Sequence, residues 1–479
     1  MIKFKQNDFP LENSIQRIRV IFVIGASPDM IRHSLAIFLA FLLLACIAPG
    51  GHAENLMDIY RQTVASSPVL ARSQALLEAQ RAGTPLARAE LLPNLDIAAG
   101  ISRNQVDITG YEPLQTDQTY TGNFYSVTLT QPLFNGPAYI AQDVAEAQTR
   151  VGEAALLATG QQLLLQVAEA YFAVLQAQAD VQVAENEKAL LLQILDQAET
   201  FRQVGTGDII AVHEARARAD AADAGLIRAE NLRRIARQRL QRLTHQSFGE
   251  LDDLGLVEPE GPRPDQIEPW VQAAFDQQPE LLRARMELQA AEGRVQIARR
   301  SRWPRVNLDT GYSHVKGAIL PDMERDELTA GLSVRFPLYQ GGAVAAKTEQ
   351  ARSLAQASRY NLEDLRDQVR LETETAFFNL QSSVADLNAA SQALTSARIS
   401  LDATREGYRV GVRSIIELLT VIQDFATIQR NYFTALYDHV TGRVRLKAAA
   451  GVLAVEDLEA INSLLLPGGE TPDFSERNG

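Results

Sequence analysis

Leu328-Thr329-Ala330-Gly331-Leu332-Ser333-Val334-Arg335-Phe336-Pro337-Leu338-Tyr339-Gln340-Gly341-Gly342 changes its period partway along. Up to Phe336 it alternates: Leu328, Ala330, Leu332, Val334 and Phe336 share one side, and Thr329, Gly331, Ser333 and Arg335 the other. That is the pattern of a strand with one apolar and one polar face. Beyond Pro337 no proline recurs until Pro467, and the chain between is rich in Ala, Leu, Gln and Arg, which predicts long helix. It breaks only at Tyr408-Arg409-Val410-Gly411-Val412-Arg413, so a helical hairpin is expected over 343–451, after a strand hairpin over 306–336.

The same plan occurs earlier. An alternating pair over 95–130 leads through Gln131-Pro132-Leu133-Phe134 into a helical hairpin over 137–247, without a proline after Pro137, which turns at Val204-Gly205-Thr206-Gly207-Asp208. Pro279 follows Pro68 by 211 residues, and Pro304 follows Pro93 and Gly311 follows Gly100 by the same interval. Later pairs, Pro337 with Pro132 and Gly411 with Gly205, are offset by 205 and 206. The change falls in the strand-hairpin tips, where insertions are tolerated. An internal duplication follows: a first repeat over 54–257, a Pro-rich linker over 258–269, a second repeat over 270–466 and a disordered tail over 467–479.

Residues 1–53 are expected to be an N-terminal extension and a cleaved export signal. Arg32 and His33 precede an apolar run from Leu35 to Ala48 and a small-residue exit ending at Ala53, and translation from Met30 rather than Met1 is an open alternative. The one cysteine, Cys46, lies inside this signal in a sequence loosely like a lipidation site, so the mature chain is expected to use no thiol chemistry. A net charge of −13 argues against nucleic acid as a partner. The six histidines are scattered, no metal-ligand spacing or nucleophile motif occurs, and no enzyme, cofactor or metal is expected. Gly341 to Thr348 falls short of a phosphate-binding loop because Ala346 occupies a glycine position. Arg233, Arg234, Arg237, Arg239 and Arg242 read as a solvated helix face balanced by acidic neighbours.

Strands of about ten residues with alternating polarity suit a tilted crossing of a bilayer. Only four strands are expected, with no further sheet to cover their apolar faces, and an open sheet is not viable in lipid. Two copies would supply eight strands and three would supply twelve. A periplasmic structural or adaptor protein with soluble β modules is the alternative.

The junction sequences Leu92-Pro93-Asn94-Leu95, Trp303-Pro304-Arg305-Val306, Gln131-Pro132-Leu133-Phe134 and Phe336-Pro337-Leu338-Tyr339-Gln340-Gly341-Gly342, with the turn at Tyr408 to Arg413, resemble the TolC family of outer-membrane efflux and type I secretion exit ducts over nearly all of 54–466. The resemblance implies an α+β membrane protein, a homotrimer whose copies build a 12-stranded outer-membrane β-barrel and a periplasmic α-barrel. It implies a passive channel working with a periplasmic adaptor (membrane fusion protein) and an inner-membrane pump, with outer-membrane lipid around the barrel. By the same resemblance Val204, Gly205, Val410 and Gly411 are adaptor-contact tips; Tyr408, Arg413 and Asp208 belong to a periplasmic gate; and Glu417 lines the pore constriction. Two positions depart from the family pattern: Ala211 and Thr420 stand where acidic residues are usual. Pro93, Pro132, Pro304 and Pro337 mark helix–strand junctions, and Trp303, beside Arg299, Arg300 and Arg302, suits an anchor at the membrane boundary. The cargo, whether drugs, metals or polypeptides, cannot be read from the chain.

Overall fold

The computed structural model describes residues 53–108, 116–255, 257–317 and 323–466. The export signal with Cys46, the tip of the first strand hairpin and the tail from Pro467 lie outside the described residues.

The first repeat runs α1 (Leu56–Ser66), α2 (Pro68–Ala89), β1 (Asn94–Ile108), β2 (Thr116–Asn135), α3 (Gly136–Gln203), α4 (Ile209–Thr244) and β3 (Asp253–Leu254). The second runs α5 (Ile267–Gln277), α6 (Pro279–Arg300), β4 (Arg305–Lys316), β5 (Glu324–Arg335), α7 (Ala343–Arg409), α8 (Ile415–Ala449), α9 (Val455–Asn462) and β6 (Leu465–Leu466). Corresponding helices match closely: α2 and α6 have 22 residues each, α3 has 68 and α7 67, and α4 has 36 and α8 35. Proline begins both α2 and α6, where its missing N–H costs nothing.

β1, β2, β4 and β5 form one antiparallel sheet in that order. Its register aligns the apolar residues of all four strands: Ile97 faces Val127, Val127 faces Tyr312, and Tyr312 faces Leu328. Asp96, Thr128, Gly311 and Thr329 form the neighbouring row on the opposite face. The apolar face is bare, with Ile101 81%, Leu328 80% and Ile97 75% exposed. β1 and β5 are its open edges.

Two details differ from the sequence reading. β2 continues through Pro132 to Asn135, its register shifting between Pro132 and Phe134, because a proline without an N–H can remain in a strand at an irregularity. The expectation of only four strands is also corrected: β3 and β6 pair as a second sheet, two residues each, too short to show any alternation. This small sheet serves the helical core and leaves the apolar face of the larger sheet uncovered.

The long helices lie side by side as four staves. Nearer the sheet the neighbours are α2, α3, α6 and α7; toward the hairpin turns α4 replaces α2 and α8 replaces α6. At 1.5 Å per residue α3 extends about 100 Å. Midway along, α1, α9 and the β3–β6 sheet gather around Tyr171, Phe172 and Tyr437, forming the largest apolar core. Fully buried aromatic rings of this size each contribute about 2–3 kcal/mol. The Tyr171 hydroxyl donates to the Asp252 carbonyl at 2.8 Å, and burial holds this phenol well above its ordinary pKa.

Candidate functional site

Two regions gather the residues singled out by sequence: the sheet–helix junction and the pair of hairpin tips.

At the junction the two repeats interlock. Trp303 stacks on Phe134 with centroids 6.2 Å apart, and the Arg300 guanidinium lies 4.9 Å from the indole ring. Gly136 begins α3 directly beneath it; a Cβ there would stand 2.9 Å from the indole, so the close approach requires glycine. The Gln131 amide donates to the Leu91 carbonyl at 3.0 Å and to the Pro132 carbonyl at 2.7 Å, tying β2 to the chain between α2 and β1. Trp303 is nevertheless 39% exposed, and Leu338 and Tyr339, just past the end of β5, are 84% and 87% exposed. An aromatic, basic and apolar rim therefore lies where the bare face of the sheet begins.

At the tips each turn is built the same way. Gly205 and Gly411 take φ of 81° and 79°, the left-handed region open to glycine at low cost. Thr206 N–H donates to the Phe201 carbonyl at 3.0 Å, and Val412 N–H to the Gly407 carbonyl at 2.9 Å, closing the last helical turn in both. Val204 and Val410 project, 67% and 60% exposed.

Of the residues expected at the gate, the structure joins some and separates others. Glu417 accepts from Ser414 N–H at 3.0 Å in a reciprocal cap of α8, and its other oxygen lies 3.5 Å from Arg413. Gly407 leaves room for Arg413, whose Cγ would be 2.8 Å from a Cβ there. Asp208 caps its own helix, accepting from Ile210 N–H at 3.1 Å, and among the described residues no hydrogen bond or ion pair joins it to Tyr408 or Arg413. Tyr408 packs against the apolar cluster of Leu191, Ile194, Leu418 and Ile422, and burial raises its pKa.

Links between the two hairpins come from residues the sequence reading passed over. Arg405 donates to Gln193 at 2.9 Å, Arg218 to Gln423, and Arg430 pairs at 3.2 Å with Glu187, which is only 12% exposed. Arg409 binds Glu406 one turn earlier and holds its carboxyl below the usual range. Gln193, Thr200, Asp402, Arg405 and Tyr408 line a polar groove of about 490 Å³ between the hairpins. Of these, only the Glu406–Arg409 spacing of three was visible as a helical pair in the sequence. The cross-hairpin pairs depend on how α3 meets α7 and α8.

Among the described residues no cluster of His, Cys, Asp and Glu could hold a metal, and no helix is long and apolar enough to cross a membrane.

Comparison with known proteins agrees over both repeats. The sequence profile of the family described as outer membrane efflux protein matches residues 59–245 and 270–452. The outer membrane protein TolC of Vibrio cholerae serotype O1 is 29% identical, over 86% of this chain and 94% of that protein. The alkaline protease secretion protein AprF of Pseudomonas aeruginosa is 28% identical, over 91% and 92%. Among solved structures, the Campylobacter jejuni CmeC outer membrane channel superposes with a TM-score of 0.76 at 15% identity, covering 86% of this chain and 90% of that one.

Proposed function

The chain belongs to the outer membrane efflux protein family and is an outer-membrane channel of the efflux or type I secretion kind, and on this footing we propose that three copies close the duct and that the hairpin tips gate it. Channels of this kind work in tripartite systems with an adaptor and an inner-membrane pump. The observation that carries the closure is the sheet, whose apolar face is bare and whose β1 and β5 edges are open. In lipid every unpaired backbone group costs several kcal/mol, so β5 of one copy pairs with β1 of the next. Three copies supply the twelve strands, and two would close only a narrow eight-stranded barrel. The rim of Trp303 and Arg300 then lies at the periplasmic boundary of the outer membrane. Light scattering of the detergent-extracted outer-membrane protein is expected to give three chain masses. A two-chain mass, or release as a soluble monomer by osmotic shock, would reject this reading.

The tips point away from the membrane, and we assign Val204, Gly205, Val410 and Gly411 as the adaptor contact and Tyr408, Arg413 and Asp208 as gate residues. Glu417 repeats three times around the closed end as a carboxylate ring. Glutamine can keep the cap on Ser414 N–H, so Glu417→Gln removes the charge alone. Reduced cation selectivity and weaker divalent block in a planar bilayer are expected, and unchanged values would remove Glu417 from the pore. A cysteine at Val410 is expected to cross-link to the adaptor, whereas one at Leu354, near the sheet end of α7, is not.

A further inference from the structure

A groove of about 770 Å³ runs between α3 and α4, with Arg445 of α8 reaching its rim. It lies opposite the mid-length core: on α3, Ala168, Tyr171 and Leu175 enter that core, while Gln166, Glu169 and Ala173 line the groove or its rim. On α4, Leu240 is a core residue, Ala236 lies between core and groove, and Arg234, Arg239 and Arg242 stand exposed at the groove. The wall is thus strongly basic in a chain whose net charge is −13.

The expectation that acidic neighbours balance this arginine run is corrected here. The carboxylates of α4 lie mainly in its half toward the tip, and two of them are engaged there: Glu214 pairs with Arg218 at 3.3 Å and Asp223 with Lys188 at 2.5 Å. From Leu226 to Thr244 the helix carries six arginines and one acid, Glu230. Arg237 is turned away, over the Phe248 ring at 4.7 Å and donating to the Gly249 carbonyl at 2.9 Å. Glu169 is bound by Arg445 at 2.7 Å. Among the described residues Arg234, Arg239 and Arg242 make no ion pair.

We propose that Arg234, Arg239 and Arg242 form a binding track for an extended polycarboxylate, an acidic stretch of polypeptide lying along the inner wall of the duct. Eight helical residues separate Arg234 from Arg242, about 12 Å, farther than one small anion can bridge. Guanidinium forks match carboxylates bidentately, and a series of them favours a chain carrying carboxylates at intervals. The Glu169–Arg445 pair marks the border of the track. Beyond it the adjoining groove is lined by Glu372, Asp386 and Asp438, which repel the same ligand and confine it to the α3–α4 side. The arginine track stands on the contacts described; its placement inside the duct rests on the channel reading above.

The test uses full-length protein in detergent with fluorescein-labelled hexaglutamate, read by anisotropy at low salt. Wild type is expected to bind, R234Q/R239Q/R242Q to bind at least tenfold more weakly, and the corresponding triple lysine variant to retain an intermediate affinity. An unchanged oligomeric mass shows that the glutamine variant is assembled. Absence of binding, equal binding by the glutamine variant, or displacement of the peptide by inorganic phosphate at the same concentration would each overturn the track. In a planar bilayer the peptide is expected to block wild-type current and not that of the glutamine variant. Binding that is lost in the variant but never blocks current would support the arginine track and reject its place on the duct wall.

Discussion

The tip of the first hairpin and that of the second have the same backbone and different charge. Gly205 and Gly411 lie within a few degrees of each other in φ, and each follows a projecting valine. Around the first turn Asp208 spends its carboxylate on its own helix cap. Around the second, Ser414 takes over the capping, so Glu417 and Arg413 can pair, and Glu406 with Arg409 adds a further pair. The turn is held by backbone hydrogen bonds that any helix end can supply, so it persists through a duplication. The side chains around it were free to diverge: the first tip has Arg216 paired with Glu199 between its helices, and only the second has pairs of the Arg413–Glu417 and Glu406–Arg409 kind beside the turn.

A second contrast lies higher on the staves. Phe172 is 1% exposed in the mid-length core, whereas its counterpart Phe378 is 56% exposed, although Phe377 beside it is buried. Phe172→Ala is expected to cost about 3–5 kcal/mol in guanidinium unfolding of the extracted protein, with Phe378→Ala well below it. An equal loss for Phe378 would mean that a neighbouring copy covers that ring, which would sharpen the case for closure. At the tips, Gly205→Val and Gly411→Val force a β-branched residue into left-handed φ, and each is expected to cost about 1–2 kcal/mol by the same measurement. Unequal costs would break the backbone equivalence of the turns.

Ser414→Ala should lower stability by about 1 kcal/mol through the lost cap. Arg413→Gln should change it by less, since an ion pair between groups 58% and 49% exposed is worth about 0–1 kcal/mol. Its clearer effect is expected on channel opening, with single-channel open time rising relative to the matched change Arg216→Gln near the first tip.

The smallest expected effect concerns pH. His439 is buried, with Nδ1 2.9 Å from the Ser383 hydroxyl and Nε2 accepting from Glu260 N–H at 3.3 Å. Burial lowers its pKa below the ordinary 6.5. The unfolded chain therefore binds the proton more readily, so this contribution is intact above about pH 6.5 and declines as pH falls below it. Unfolding measured from pH 7.5 to 5 is expected to show a shallower loss in His439→Gln than in wild type, and identical slopes would remove His439 from the account.

Much of this protein was determined locally. Alternation in Leu328 to Phe336, proline spacing and glycine at each turn are properties of short segments, so the sequence alone specified two repeats, the strand pairs, the long helices and the positions of the tips. The tertiary structure decided which distant side chains meet. Whether Glu417 faces a partner or its own cap, whether Phe378 is covered as Phe172 is, and whether the α4 arginines find carboxylates all depend on the packing of staves far apart in sequence. The two-residue β3–β6 pair was hidden for the same reason: it carries no period, and it exists only because the folded core brings residue 254 beside residue 465.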